Sequence, residues 1–110
     1  MDCLFCRIVN GEIPSRRVYE DEQIVAFADV APQAPTHVLV VPRRHVGSLD
    51  DLRDPALAGR LLTVAAEVAA TLGLGAGYRV VVNTGPDGGQ TVGHLHLHVL
   101  GGRQMTWPPG

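Results

Sequence analysis

The sequence predicts an α+β fold built on a five-stranded antiparallel sheet with one long and one short helix. Segments patterned as strands come first in a run, a single long helical segment follows, and two more strand segments complete the order. That order suits an antiparallel sheet, because a parallel doubly wound sheet needs strands and helices to alternate. The 110 residues, 45% hydrophobic and 18% charged, are enough for one packed core and too few for two. Thirteen Gly and eight Pro stay below the ~25–30% share of low-complexity chains. Residues 1–110 are therefore expected to form a single domain, with no linker and no internal repeat.

Asp2 is placed to cap a short helix over Cys3 to Asn10, with Gly11 as its stop and a turn at Ile13-Pro14-Ser15. On that helix Leu4 and Ile8 share one face, and Cys3 and Cys6 another. Val18-Tyr19 and Ile24 to Phe27 flank the acidic segment Glu20-Asp21-Glu22-Gln23, which reads as a hairpin with a solvated tip. A Pro-punctuated loop, Ala31 to Pro35, leads into a third strand, Val38 to Val41, ended by Pro42. Asp54-Pro55 opens the long helix as a cap followed by Pro at the first position; Leu57, Leu61, Val64 and Val68 repeat at helical spacing up to Leu72. Tyr78 to Asn83 is the fourth strand and His94 to Leu100 the fifth, separated by the glycine-rich segment Gly85 to Gly89.

Composition removes several classes of function. The net charge of −2 and pI near 6.2 supply no field that would gather nucleic acid or an anionic membrane. All nine cations are Arg, which excludes lysine Schiff bases and a P-loop lysine. No apolar run approaches the ~20 residues of a membrane span, and an acid stands at position 2 where a signal peptide is basic, so a cytoplasmic protein is expected. Cys3 and Cys6 are too close to close a useful disulfide loop, which leaves a metal pair, a redox pair or two reduced thiols packed on a helix.

The most specific feature is His94-Leu95-His96-Leu97-His98-Val99-Leu100. On a strand these residues alternate faces, so three imidazoles point one way at about 6.5–7 Å spacing while Leu95, Leu97 and Val99 enter the core. Such a row suits metal ligation, acid–base catalysis or attack by an imidazole nitrogen. The loop before it, Gly88-Gly89-Gln90-Thr91, lets backbone N–H groups approach an anion but lacks the Gly-Lys-Ser/Thr ending of a P-loop. By itself it reads more simply as a glycine-rich hairpin turn.

This row resembles the signature of the histidine triad family, His-φ-His-φ-His-φ-φ with φ apolar. Ala31 to His37, Val41 to His45, Val81 through Gln90 and the tail Leu100 to Gly110 resemble the Hint branch in particular. The resemblance covers almost the whole chain, and the Trp-Pro-Pro-Gly tail separates it from the dinucleoside polyphosphate hydrolase and uridylyltransferase branches. It implies a HIT-like fold whose sheet extends across a two-fold homodimer, and a hydrolase that cleaves the P–N bond of adenosine or guanosine 5′-phosphoramidates to AMP or GMP. His96 would attack the α-phosphorus, giving a transient nucleotidyl-histidine. The resemblance assigns His98 to the phosphoryl group, His94 and His37 to the supporting proton network, and Thr91, often Ser in the family, to the leaving amine. It assigns Phe5, Ile8, Phe27 and Val30 to the base pocket, Asp29 to the ribose, Asn83 and Gly89 to the phosphate end, and Trp107 to a partner subunit's site. Phe5, Ile8, Phe27 and Val30 read equally well as ordinary core residues, and Asp29 as a turn former.

In some histidine triad proteins a similar Cys pair holds structural zinc together with two histidines, which here would be Cys3, Cys6, His45 and His94. Other Hint proteins lack the pair, so the resemblance implies no metal in the reaction itself. Three other readings stand beside the phosphoramidase: a dinucleoside polyphosphate hydrolase, a nucleotide-binding interaction module with incidental hydrolysis, and a zinc hydrolase ligated by His94, His96 and His98.

Overall fold

Burial is nearly continuous along the two strands Ile24–Ala28 and Thr36–Pro42, so the sheet has two apolar faces, and each carries one helix. The computed structural model describes residues 3–110, so the cap expected of Asp2 lies outside the described residues. Strands β1 (Arg17–Glu20), β2 (Ile24–Ala28), β3 (Thr36–Pro42), β4 (Tyr78–Val81) and β5 (Leu97–Gly101) form one sheet in the order β1-β2-β3-β5-β4, every pairing antiparallel. Helix α2 (Pro55–Thr71) lies between β3 and β4 in sequence and crosses one face. There Ile24, Ala26, Val38, Val40, Leu97 and Val99 meet Leu57, Leu61, Val64 and Val68, the residues that repeat at helical spacing in the sequence. Helix α1 (Leu4–Val9) covers the other face with Phe5, Ile8 and Val9 against Val25, Phe27, Leu39 and Val41. Among the described residues no helix is long and apolar enough to cross a membrane.

Helix α2 starts as expected: the Asp54 carboxylate accepts from the amides of Ala56 and Leu57 at 3.0 and 3.2 Å, satisfying two donors the first turn leaves open. Helix α1 is shorter than its sequence span suggests. Cys3 is its cap, its sulfur accepting from Cys6 N at 3.3 Å. Leu4 is exposed, because the buried face is centred on Phe5, Ile8 and Val9 at i, i+3 and i+4.

The hairpin tip departs from expectation as well. Asp21 accepts from Tyr19 Oη at 2.7 Å, from the amides of Gln23 and Ile24 at 2.7 and 2.8 Å, and from Arg60 of α2 at 2.8 Å. Burial alone would raise the Asp21 pKa, but the hydrogen bonds from Tyr19, Gln23, Arg60 and Ile24 outweigh it and hold the carboxyl well below the usual carboxylate range. The tip is thus a staple between the hairpin and α2.

β5 begins three residues later than the sequence pattern predicts. Its ladder with β3 ends at Val40↔Leu97. Beyond that point Pro42 has no N–H to offer, and its carbonyl accepts the ring of His94 at 2.8 Å. The Leu95 amide turns instead to the Val46 carbonyl at 2.6 Å. β4 likewise ends at Val81 rather than Asn83. One prediction follows from the packing: Leu61→Ala, at a side chain 1% exposed, should cost about 2–5 kcal/mol in urea unfolding, while Leu62→Ala, 58% exposed on the same helix, should stay within about 0.5 kcal/mol.

Candidate active site

Although only His98 lies on the strand proper, the three triad histidines keep the alternation read from the sequence. Leu95, Leu97 and Val99 join the core under α2. The rings of His94 and His96 lie on the α1 side, edge-to-face with Phe5 at centroid separations of 6.0 and 5.1 Å. His96 and His98 follow at 4.9 Å.

Hydrogen bonds define which nitrogen of each ring carries the proton. His96 Nδ1 is 2.7 Å from the carbonyl of His94. A carbonyl only accepts, so Nδ1 carries hydrogen and the neutral ring's lone pair is on Nε2. The amide of Gln33 donates to His37 Nδ1 at 3.0 Å, which puts the hydrogen of neutral His37 on Nε2, 2.9 Å from His98 Nδ1. His98 then accepts through Nδ1 and carries its own hydrogen on Nε2. A directed chain thus runs from the Pro-rich loop through β3 to β5 and ends in a donor beside His96.

Charge agrees with this chain. Burial, then the neighbouring His96 and His37, pushes the pKa of His98 down to about 4, with Asp29 opposing. Burial also lowers that of His37, again offset in part by Asp29, whose Oδ2 is 3.5 Å from His37 Nε2. Both rings are neutral at pH 7, as their donor–acceptor pattern requires. Burial lowers His94 too, against the favourable bond to Pro42.

A second constellation sits behind the row. The ligand atoms of Cys3, Cys6, His45 and His94 all lie within 4.8 Å of one another. His94 Nδ1 is 3.4 Å from Cys3 Sγ and 3.5 Å from Cys6 Sγ, and His45 Nδ1 is 3.4 Å from Cys6 Sγ. A tetrahedral ion with bonds of about 2.3 Å to sulfur and 2.0–2.1 Å to nitrogen separates such ligands by about 3.6 Å, so the four residues fit zinc. His94 also donates its other ring nitrogen to a backbone carbonyl, the usual arrangement of a metal-ligating imidazole. Burial, with the hydrogen bond and charge of Cys3, raises the Cys6 thiol above its ordinary pKa. Metal binding would have to displace that proton. His94, His96 and His98 do not converge in this way. Among the described residues the other group within 4.8 Å is Asp29, His37 and His98, whose imidazole nitrogens already share a proton. A zinc hydrolase ligated by the three triad histidines therefore has no geometric support.

The remaining residues singled out in the sequence fall into two sets. Phe5, Ile8 and Phe27 are buried in the cluster beneath α1, with Phe5 and Phe27 edge-to-face at 5.5 Å. Val30 is fully exposed, and Asp29 beside it accepts from Ala31 N at 2.8 Å. Asn83 is half-buried, Gly89 and Thr91 are exposed, and Trp107 is exposed away from the core. Gly88 cannot carry a side chain, because a Cβ there would strike the backbone of Thr84; Gly89 has φ +80°. Gln90, not singled out in the sequence, ties this loop down: Oε1 accepts from Gly85 N at 3.0 Å, and Nε2 donates to the carbonyls of Gly47 and Val92 at 2.8 and 3.0 Å. A Gln inside a glycine-rich loop was the available signal.

Fold and site together define an α+β protein built around a row of histidines, with Nδ1 of the central one, His96, held by the His94 carbonyl. The HIT domain profile matches residues 10–105, and the chain belongs to that family. It is 52% identical to an uncharacterised HIT-like protein of Synechococcus elongatus over 99% of this chain and 97% of that one. It is 51% identical to the 14 kDa zinc-binding protein of Zea mays, over 97% of this chain and 87% of the relative. The crystal structure of a HIT family hydrolase from Legionella pneumophila superposes with TM-score 0.96 at 51% identity, covering 99% of this chain and all of the other.

The depressed histidines make stability depend on pH. With folded pKa values below the unfolded value of about 6.5, the unfolded chain takes up protons first, so the contribution is complete above pH 6.5 and is lost as pH falls toward 4. Urea unfolding should give lower stability at pH 5 than at pH 7, and His98→Gln should narrow that difference. An unchanged difference would remove His98 as its source.

Proposed function

We propose that this protein is a homodimeric hydrolase of the Hint branch that cleaves the P–N bond of purine nucleoside 5′-phosphoramidates through a nucleotidyl-histidine. The observation that carries the reading is the orientation of His96. Its Nδ1–H is engaged by the His94 carbonyl, so the nucleophilic lone pair is on Nε2 on the face shared with His98. In the first half-reaction Nε2 attacks the α-phosphorus, the P–N bond breaks and the amine departs with a proton taken from water. In the second, water adds to phosphorus and gives a proton back to solvent, the P–Nε2 bond breaks and AMP or GMP leaves. His98 donates its Nε2–H to a phosphoryl oxygen and, held by His37, needs no reorganisation to do so. Phe5, Ile8, Phe27 and Val30 form the base side, Asp29 receives the ribose hydroxyls, and Asn83, Gly89 and Thr91 face the phosphate and the leaving amine. Trp107 belongs to the partner subunit's site. That the Legionella relative is a HIT family hydrolase supports the reaction class.

Zinc bound by Cys3, Cys6, His45 and His94 would supply structural cross-linking of α1 to the chain after β3 and to the triad segment; the maize relative is described as zinc-binding. A reduced cysteine pair suits the cytoplasm.

His96→Ala should abolish turnover while nucleotide affinity stays within about tenfold, since the attacking nitrogen is lost but the remaining contacts persist. Rates on adenosine and guanosine phosphoramidates, with diadenosine polyphosphates for comparison, and trapping of the nucleotide on His96 test the assignment; more than a few per cent residual kcat in the variant would overturn it. For the metal, about one equivalent of zinc per chain is expected by elemental analysis. Cys3→Ser with Cys6→Ser should lose it and melt at lower temperature, and finding no zinc in chelator-free wild-type protein would refute the site.

A further inference from the structure

After β5 the chain leaves the sheet, and residues 106–110 belong to no helix or strand. Within them stands Trp107, the one tryptophan of the chain, 85% exposed. An indole in that position gains nothing from the core, so something other than burial must hold it. Arg79 does this from β4, the edge strand beside β5. Its Nη2 donates to the carbonyl of Thr106 at 2.8 Å and its Nη1 to that of Pro109 at 3.3 Å. The two acceptors stand on either side of Trp107, and among the described residues no other hydrogen bond to residues 106–110 is found. Arg79 also borders an open cavity of about 590 Å³ with Tyr78, Gly102 and Met105, so it is not part of the packed core.

We propose that Arg79 is a positioning residue for leaving-group selectivity: by gripping the tail on both sides of Trp107 it holds the indole ready for the amine side of a neighbouring subunit's site. The argument is geometric. One planar guanidinium with a rigid fork of donors can hold two carbonyls at once and so remove the freedom of the segment between them, which a lysine ammonium holds less well. An exposed, immobilised aromatic with few rotatable bonds is the kind of group that contributes contact area at low entropic cost when a partner arrives. The selectivity rests on the phosphoramidase and dimer reading above; the grip on the tail does not.

The test uses full-length wild type, Arg79→Ala and Arg79→Lys. Trp107 fluorescence reports the tail directly because no other tryptophan contributes. In Arg79→Ala the anisotropy of Trp107 should fall, acrylamide quenching should rise, and trypsin should cut after Arg103 several-fold faster, with the melting temperature nearly unchanged. The KM for a phosphoramidate of a bulky aromatic amine should rise about fivefold or more, while kcat for one of a small primary amine stays within about twofold; Arg79→Lys should be intermediate. Unchanged anisotropy and cleavage in Arg79→Ala overturn the grip, and a released tail with unchanged selectivity overturns its role toward the leaving group. Failure of the wild type to turn over any phosphoramidate is a failure of the proposed function instead, and the fluorescence and cleavage results still stand or fall by themselves.

Discussion

One fully buried imidazole organises the region where the chemistry lies. His94 has no solvent to satisfy its polar atoms, so each of them must find a partner in the protein, and each partner is a different piece of structure. Nε2–H goes to the carbonyl of Pro42 at the end of β3, Nδ1 faces the two sulfurs of the α1 segment, and the backbone carbonyl receives Nδ1–H of His96. The first bond determines which nitrogen faces the sulfurs. The last determines which nitrogen of His96 keeps its lone pair. Rotating the His94 ring would therefore unpair the Pro42 carbonyl and remove one of the contacts that hold the sulfurs of the α1 segment.

The same constraint explains what could and could not be read from the sequence. Helix α2 and its Asp54-Pro55 start, the hairpin and the order of the strands were legible because they depend on local capping and on hydrophobic period. The alternation of histidine and leucine was legible for the same reason. That β5 would begin only at Leu97 was not, because it turns on a contact between residues 52 positions apart: the proline that closes β3 offers only a carbonyl, and a side chain takes it. Asp21 is a similar case. Its acidic neighbours suggest a solvated tip, yet Arg60, 39 residues away, brings it into the packing of α2. Of the candidate site, the histidines and cysteines were visible as residue types at telling spacings. Gln33 and Pro42, which act through backbone atoms, had no such signature, and Gln90 had only its place in a glycine-rich loop, since its reach to the Gly47 carbonyl spans 43 residues.

The electrostatics of the row are unusual for five histidines in a chain of modest charge. A row of imidazolium ions at these separations would repel, and burial penalises each charge separately. The site resolves this by keeping His37 and His98 neutral and ordering their protons in one direction, from the Gln33 amide to the free Nε2–H of His98. Asp29 opposes the depression in both rings without forming a close ion pair, so it limits how far they fall. A neutral donor at His98 beside His96, whose Nδ1 is already engaged, is compatible with an anionic group between them.

Helix α1 carries Phe5, Cys3 and Cys6, and six residues are too few for a helix to hold itself in water. Its position is therefore a tertiary property, and three separate attachments supply it. Arg17 of β1 donates to the last carbonyls of the helix, Ile8 and Val9, at 2.8 and 3.1 Å, and complements the negative end of its dipole. Phe5 is wedged between the rings of Phe27 and His96, and the sulfurs meet His94 and His45. The aromatic wall beside His96 and two of the candidate metal ligands thus share the least self-sufficient element of the fold. Anything that grips the sulfurs also fixes the aromatic wall, so a metal held by Cys3, Cys6, His45 and His94 would bear on the shape of the site through α1.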